Sequence, residues 1–447
     1  MTTAPSLSST PTPAPTKSNQ RRVAAATLVG TTIEFYDFFV FGTASALVFG
    51  PLFFAPAPPV VALILSMATF GVSFVLRPVG GFIAGHLGDR HGRKVVLVWT
   101  LVIMGVATAA IGLLPGYAQI GIAAPLLLIF LRLVQGVAVG GEWGGAATMA
   151  IENAPSNRRG MWGALPQMGG PGGLVIANLV TLIVTLAVSG EGFVQWGWRI
   201  PFLVNVLLIA IGLWVRLRIE DQVGDTLKAD PTERKRAPIV DVLRKRLGAT
   251  LKLIGAQAAV NISFYLFAVL SISYLTGTIK LANSTAIAIV VVGALVDVIL
   301  QPIWGRLSDR IGRKPVMIIG AIATGVLAFP YYLVAGTGSP ILIGLLTALI
   351  LGVGHSPQFA VLSSLIAEQY DVTYRYSGAS IANQLGNLIW AAGTPVLGVA
   401  LLAATGGAGW PLALLLVAAC VLALVCISLL RETRDIADVT QSTETAN

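Results

Sequence analysis

Twelve times along this chain a run of about 20 mainly apolar residues recurs, the length an α-helix needs to cross the hydrocarbon core of a bilayer. The runs lie at roughly 24–49, 60–84, 95–114, 121–149, 161–187, 198–217, 250–276, 284–304, 315–335, 340–366, 377–403 and 410–430. In lipid each backbone N–H and C=O must be satisfied within its own segment, so such runs fold as helices. The expected fold is all-α and integral to the membrane, with twelve transmembrane helices. Composition agrees, since 55% of residues are hydrophobic and only 11% charged. A net charge of +9 could suggest nucleic acid, but the basic residues stand in short clusters between apolar runs, where topology explains them. No nucleic-acid partner is expected.

Those clusters also set the orientation. Arg90, Arg93 and Lys94, then Arg158 and Arg159, the stretch from Arg216 to Lys252, Arg306 to Lys314, and Arg375 all fall on alternate connections, with Lys280 the exception. Both termini are then expected to be cytoplasmic, in a multi-pass protein of the inner (plasma) membrane. Residues 1–20 are rich in Pro, Ser and Thr and lead into Arg21 and Arg22, which reads as a disordered tail before an uncleaved first helix. Cys420 and Cys426 share the last run on different helix faces and read as packing residues.

The chain repeats itself. "GHLGDRHGRK" at 85–94 follows the second run, and "GRLSDRIGRK" at 305–314 follows the eighth, an offset of 220 residues. A weaker echo pairs Glu152 and Arg159 with Glu368 and Arg375. Two pseudo-symmetric six-helix bundles follow, 21–217 and 250–430, joined by a basic linker at 218–249 and followed by a tail at 431–447, with a binding site expected between the halves. Each repeated connection is expected to turn at Gly92 or Gly312 and to pack its charges against neighbouring helix ends. Gly85, Asp89, Arg90, Arg93, Asp309, Arg310 and Arg313, with Glu152, Arg159, Glu368 and Arg375, are the expected gating residues.

This duplicated G-x-x-x-D-R-x-G-R-K connection in a six-plus-six chain resembles the major facilitator superfamily. "RLVQGVAVGGEWGGAA" (132–147), the E-F-Y-D segment of the first run, "RPVGGFIAGHLGDRHGRK" (77–94) and "QWGWRIPFL" (195–203) further resemble its metabolite:proton symporter family, in particular the bacterial shikimate permease group. In the tenth-to-eleventh connection "AEQYDVTYRYSGAS" departs from that family's proline-containing pattern. The resemblance implies the major facilitator fold, alternating access, and a role for Arg132 of R-L-V-Q-G in proton coupling or anion binding.

A charge at the bilayer centre costs ~2.5–3.5 kcal/mol on insertion scales. The chain nonetheless carries Glu34, Asp37, Arg77, Arg132, Glu142 and Asp297 inside its apolar runs, and His355 as well. Glu34 and Asp37 stand a turn apart on one face. Either they form buried ion pairs, or mutual repulsion makes one of them exchange a proton; three acids against two arginines in the first half leave one acid to titrate. Proton coupling is therefore assigned to Glu34, Asp37, Arg132 and Glu142. Arg132 and Gln135 share a face suited to a carboxylate and hydroxyls, although a packing arginine has the same pattern. Arg77 and Asp297 occupy equivalent places in the repeat and invite a bridge between halves; Arg77 with Glu142 is an equal alternative.

Polar side chains elsewhere complete a candidate substrate surface: Gln167 and Asn178 in the fifth run, then Asn261, Tyr265, His355, Asn383 and Asn387 in the second half. The glycine runs of "GEWGGAA" and "PQMGGPGGLVIAN" read as close helix packing. Gly170-Pro171-Gly172-Gly173 lacks the spacing of drug exporters, so uptake ranks above export. The expected activity is proton-coupled uptake of a small organic acid, a shikimate-like hydroxylated monocarboxylate first, with dicarboxylates or tricarboxylates, or betaine and proline, as alternatives. Osmosensing relatives carry a long heptad-bearing tail, whereas about sixteen residues follow Leu430 here, which lowers osmolyte import. An enzyme would need a catalytic constellation, and neither H-E-x-x-H nor a Walker A motif is present. A channel would need charge rings or a filter repeat. No cofactor or metal is expected, and the protein is expected to act as a monomer.

Overall fold

The computed structural model describes residues 17–91, 93–140, 154, 158–188, 190–223 and 239–434. Its helices are α1 Lys17–Leu47, α2 Pro59–Gly81, continued to His91, α3 Arg93–Leu113, α4 Ala123–Val139, α5 Arg159–Ala187 and α6 Arg199–Val223. The second half runs α7 Arg244–Gly277, α8 Asn283–Ile311, α9 Arg313–Ala335, α10 Pro340–Glu368, α11 Ser377–Ala404 and α12 Trp410–Ser428. Among the described residues eight of these are long and apolar enough alone to cross a membrane. A ninth span joins α6 to Gly190–Gly197 across a 49° bend, and α3 and α4 hold shorter apolar helices. With α1, 31 residues long, the twelve form two six-helix bundles.

Three expected boundaries move. The first helix begins at Lys17, inside the segment read as a disordered tail. The linker expected at 218–249 is shorter, because α6 runs on to Val223 and the helix leading into α7 starts at Ile239. The eighth span, expected to stop near 304, continues through the repeated motif to Ile311. A helix carries charges freely once it leaves the apolar layer, so the motif does not end it. The chain turns only at Gly312, whose φ of +104° is a conformation that side chains resist.

The bundles meet along four helix pairs: α1 packs on α7, α2 on α11, and α5 on both α8 and α10. The whole apolar window of α7 is buried, against half or less in the other spans of the second bundle. That difference places α7 inside the assembly, while neighbours expose residues such as Trp99, Leu186, Leu333 and Ile341 on faces suited to lipid. Inside the first bundle, glycines bring α2 and α4 together: a Cβ on Gly80 would overlap the Val137 carbonyl, and one on Gly136 the Ser73 carbonyl.

Among the described residues four short π-helical turns interrupt the spans, at Phe193–Gly197, Leu266–Leu270, Ile350–His355 and Asn387–Ala391. Each adds a residue to a turn and so redirects the side chains that follow. Two of them bracket residues singled out in the sequence, His355 and Asn387.

Candidate functional site

Close approach of α2 to α4 sets Arg77 beside Arg132, and α1 lays Glu34 and Asp37 against them. Glu34, Asp37, Arg77, Arg132 and Gln135 all line one cavity, together with Phe35, Phe38, Ser73, Met104 and Val139. The room left for water there is ≈ 20 Å³, about the space of a single molecule. The cavity as it stands is too small for an organic solute.

Arg132 is buried and its guanidinium is held from three sides. Nη1 donates to Gln135 Oε1 at 2.8 Å, and Nη2 donates to the Phe70 carbonyl and to Ser73 Oγ, both at 3.1 Å. The Phe41 ring lies 3.9 Å below it. Gln135 in turn donates to Thr108 Oγ1 at 2.7 Å, which fixes the amide. Arg77 stands over Phe74 at 4.1 Å and Phe38 at 5.0 Å, within electrostatic reach of Glu34. Nε of each arginine has no hydrogen-bond partner. Two buried cationic donors therefore remain for an incoming carboxylate.

Asp37 is buried, with Thr108, Asn205, Arg132 and Glu34 for neighbours. Its Oδ1 accepts no hydrogen bond. An ionised carboxylate loses more solvation there than a protonated one. From the second bundle Tyr265 closes over this cluster, its ring 5.8 Å from those of Phe70 and Phe74. Asn261, Gln257, Gln358 and Gln384 on neighbouring surfaces each keep a buried polar atom without a partner. Asn383 is buried on α11, with Asn387 half-buried a turn beyond.

Other expected site residues are engaged elsewhere. Asn178 accepts from Thr43 Oγ1 at 2.7 Å and so ties α5 to α1, away from the arginines. Gln167 donates across the bundles to the Phe359 carbonyl at 3.3 Å, which makes it an interface residue. His355 and Asp297 pair with each other at 2.8 Å, so the bridge expected between Asp297 and Arg77 is not formed. The reason is geometric: the π turn before Ser356 aims the imidazole at α8. Glu142 and Glu152 lie outside the described residues. Gly85, Asp89 and Arg90 lie on α2 and Arg93 begins α3, but their side chains are outside the description too.

At the motif-bearing end the second repeat does reach across. Asp309 accepts the backbone N–H groups of Gly160 and Met161 at 2.7 and 3.0 Å, and Arg313 Nη1 donates to the same carboxylate at 2.8 Å. Ser363 and Ser364 add bonds to the Gly163 and Arg159 carbonyls. Two details differ from expectation. Arg310, expected to pack against a neighbouring helix end, is exposed at the end of α8, and Glu368, matched with Arg375 only by the repeat's spacing, pairs with Arg313 at 3.4 Å. Sequence reasoning also missed Glu432, which accepts the N–H groups of Arg313 and Lys314 at the start of α9; only its position after the last span hinted at a helix cap.

Two six-helix bundles closed over a central set of acids and arginines define a multi-pass membrane carrier. Comparison with known proteins gives its family. Residues 23–221 match the family described as Sugar (and other) transporter, and residues 253–446 match the Major Facilitator Superfamily. The shikimate transporter of Escherichia coli K12 is 34% identical over 420 residues, 93% of this chain and 96% of that one. A proline/betaine transporter of Salmonella typhimurium is 34% identical over 388 residues, 84% of this chain and 77% of that one. The xylose transporter XylE from E. coli, in a partially occluded inward open conformation, superposes with a TM-score of 0.71 at 16% identity, covering 94% of this chain and 99% of that one. The chain belongs to the major facilitator superfamily, and its relatives are transporters, not enzymes.

Proposed function

We propose that this protein is a secondary active transporter that takes up a small organic acid together with a proton by alternating access. A shikimate-like hydroxylated monocarboxylate is the favoured substrate. One observation carries the reading: Glu34, Asp37, Arg77 and Arg132 line a single cavity inside the first bundle.

With all four ionised, the cluster sums to zero charge. A carboxylate entering it adds one negative charge in a region of low dielectric, where an unbalanced charge is costly. A proton on Glu34 or Asp37 restores neutrality, and Asp37, whose Oδ1 has no donor, is the readier acceptor. Coupling follows from charge balance. In the second bundle the free amide nitrogen of Asn261, a hydrogen-bond donor, suits a hydroxyl group, and the relatedness to a shikimate transporter points the same way.

The motif end is taken as cytoplasmic, with both termini on that side and the protein working as a monomer. Substrate and proton enter from outside, the cluster becomes neutral again, and release of the Asp309 contacts opens the inner side. A zwitterion such as betaine or proline is the second reading, favoured by the other relative. It adds no net charge, so charge balance asks for no proton. A thermal-shift panel of organic acids and osmolytes, followed by uptake of the best hit into liposomes with an imposed pH gradient, separates the two. Saturable, gradient-driven uptake of a monocarboxylate supports the proposal; gradient-insensitive uptake of a zwitterion alone refutes it.

A further inference from the structure

A second, smaller cavity lies in the first bundle, and the coupling cluster does not use it. Thr43 on α1, Thr181 on α5 and Trp198 at the entry to α6 line it, and it leaves ≈ 10 Å³ of room for water. One water needs about that space and roughly two to four polar partners. Those partners are present. The buried Trp198 indole N–H has no acceptor. Thr43 Oγ1 and Thr181 Oγ1, which donate to Asn178 Oδ1 and to the Ala177 carbonyl, keep lone pairs with which to accept. The indole is also fixed in place, with the Arg199 guanidinium 4.5 Å over its ring and Phe49, Phe53 and Phe202 meeting it edge-on.

The helix faces that line this cavity continue to Asp37. On α1, Val40 and Ala44 line it, and Asp37, which lines the coupling cavity, is three residues from Val40, about 4.5 Å of helix. The two cavities are thus one turn apart, yet they share no residue. On α6, Trp198, Pro201 and Phe202 line the smaller one, and Asn205 follows on the same face at helical spacing. Asn205 is wholly buried beside Asp37, and neither atom of its amide has a partner. On α5, Asn178 stands a turn inward of Thr181, with its Nδ2 unpartnered. Buried polar atoms are seldom left unpaired, and ordered water is the usual partner when protein supplies none.

We propose that this face is a water-bearing proton route: one ordered water, held by Trp198, Thr43 and Thr181, is its outer step, and the amides of Asn178 and Asn205 mark its course to Oδ1 of Asp37. A hydronium outside gives up a proton, each water on the way takes one proton and passes one on, and the carboxylate keeps the last. Substrate then enters between the bundles and the proton through one of them, because every residue lining the smaller cavity belongs to the first bundle. Without a bound anion, a proton on Asp37 leaves the cluster with a net positive charge, so charge balance limits leakage. The part played in coupling rests on the function proposed above, but the hydration does not.

The test is water-edited solid-state NMR of the full chain in lipid with ¹⁵N-labelled tryptophan. The chain has nine tryptophans, and Trp198→Phe assigns the buried indole. Polarisation from water should reach the Trp198 N–H despite its burial; an indole that receives none overturns the proposal. A second readout compares shikimate uptake into proteoliposomes driven by a pH gradient with counterflow at equal pH, in the wild type and in Thr43→Val/Thr181→Val. Driven uptake should fall at least fivefold in the double variant, while counterflow, in which the proton stays in place, is unchanged. Equal losses of both rates, or loss of neither, overturn the route. Absence of gradient-driven uptake in the wild type would count against the proposed function and leave the NMR result standing.

Discussion

Asp309 at the end of α8 caps the first turn of α5 in the opposite bundle, its two carboxylate oxygens accepting the N–H groups of Gly160 and Met161. A carboxylate at a helix N-terminus satisfies otherwise unpaired donors and meets the positive end of the helix dipole. Gly160 is needed for the approach, because a Cβ there would run into Ser308 and the Gly305 carbonyl. The second copy of the motif thus works between bundles.

Removing that carboxylate should open the motif end. Asp309→Ala loses a helix cap worth about 1–2 kcal/mol, which is a shift of about fivefold to thirtyfold between two states. In a background lacking Cys420 and Cys426, a cysteine at buried Ser364 should react at least fivefold faster with a polar maleimide once Asp309 is gone. Equal rates would show that the contact does not hold the closed form.

The approach of α2 to α4 positions both arginines, so Gly136→Val should disturb the site from behind. Its side chain would overlap the Ser73 carbonyl. Overpacking of this kind costs about 1–3 kcal/mol, and the thermal midpoint in detergent should drop by several degrees. An unchanged midpoint would mean that α2 and α4 separate without loss.

Arg132 contacts Gln135, Phe70 and Ser73 at once through a planar fork whose geometry a compact ammonium does not reproduce. Arg132→Lys should weaken the apparent affinity for the organic acid by about tenfold, the worth of one charge-assisted hydrogen bond at about 1.4 kcal/mol. Unchanged affinity with a lowered thermal midpoint would assign the residue to packing instead.

The twelve spans and the repeat were legible because lipid imposes length, and length shows directly in apolar runs such as 284–304 and 410–430. Glu34 and Asp37 could be grouped with Arg132 from sequence, since buried charges in lipid need one another, but Arg77 was matched only with Asp297 or Glu142, and its place beside Arg132 shows only in the structure. What sequence could not show was which acid meets which base. Asp297 looked like a partner for Arg77 because the two share a repeat position, yet a π turn ahead of Ser356 hands it to His355. Asn178 and Gln167 looked like ligands because they are polar in apolar helices. In the structure they bond Thr43 and the Phe359 carbonyl, the ordinary fate of buried amides.

Charge balance makes the substrate's own charge decisive. Imposing an inside-alkaline gradient on proteoliposomes should drive accumulation of a monocarboxylate at least tenfold, and leave a zwitterion near its equilibrium level. Equal accumulation of the two would remove the reason for coupling given above.

The most direct measurement takes the two acids together. Uptake of radiolabelled shikimate into proteoliposomes under a pH gradient, compared between wild type and Glu34→Gln/Asp37→Asn, asks whether these carboxylates carry the coupling proton. Uphill accumulation should vanish in the double variant while exchange of internal for external substrate continues. Accumulation above equilibrium in the double variant, driven by the same gradient, would contradict the account.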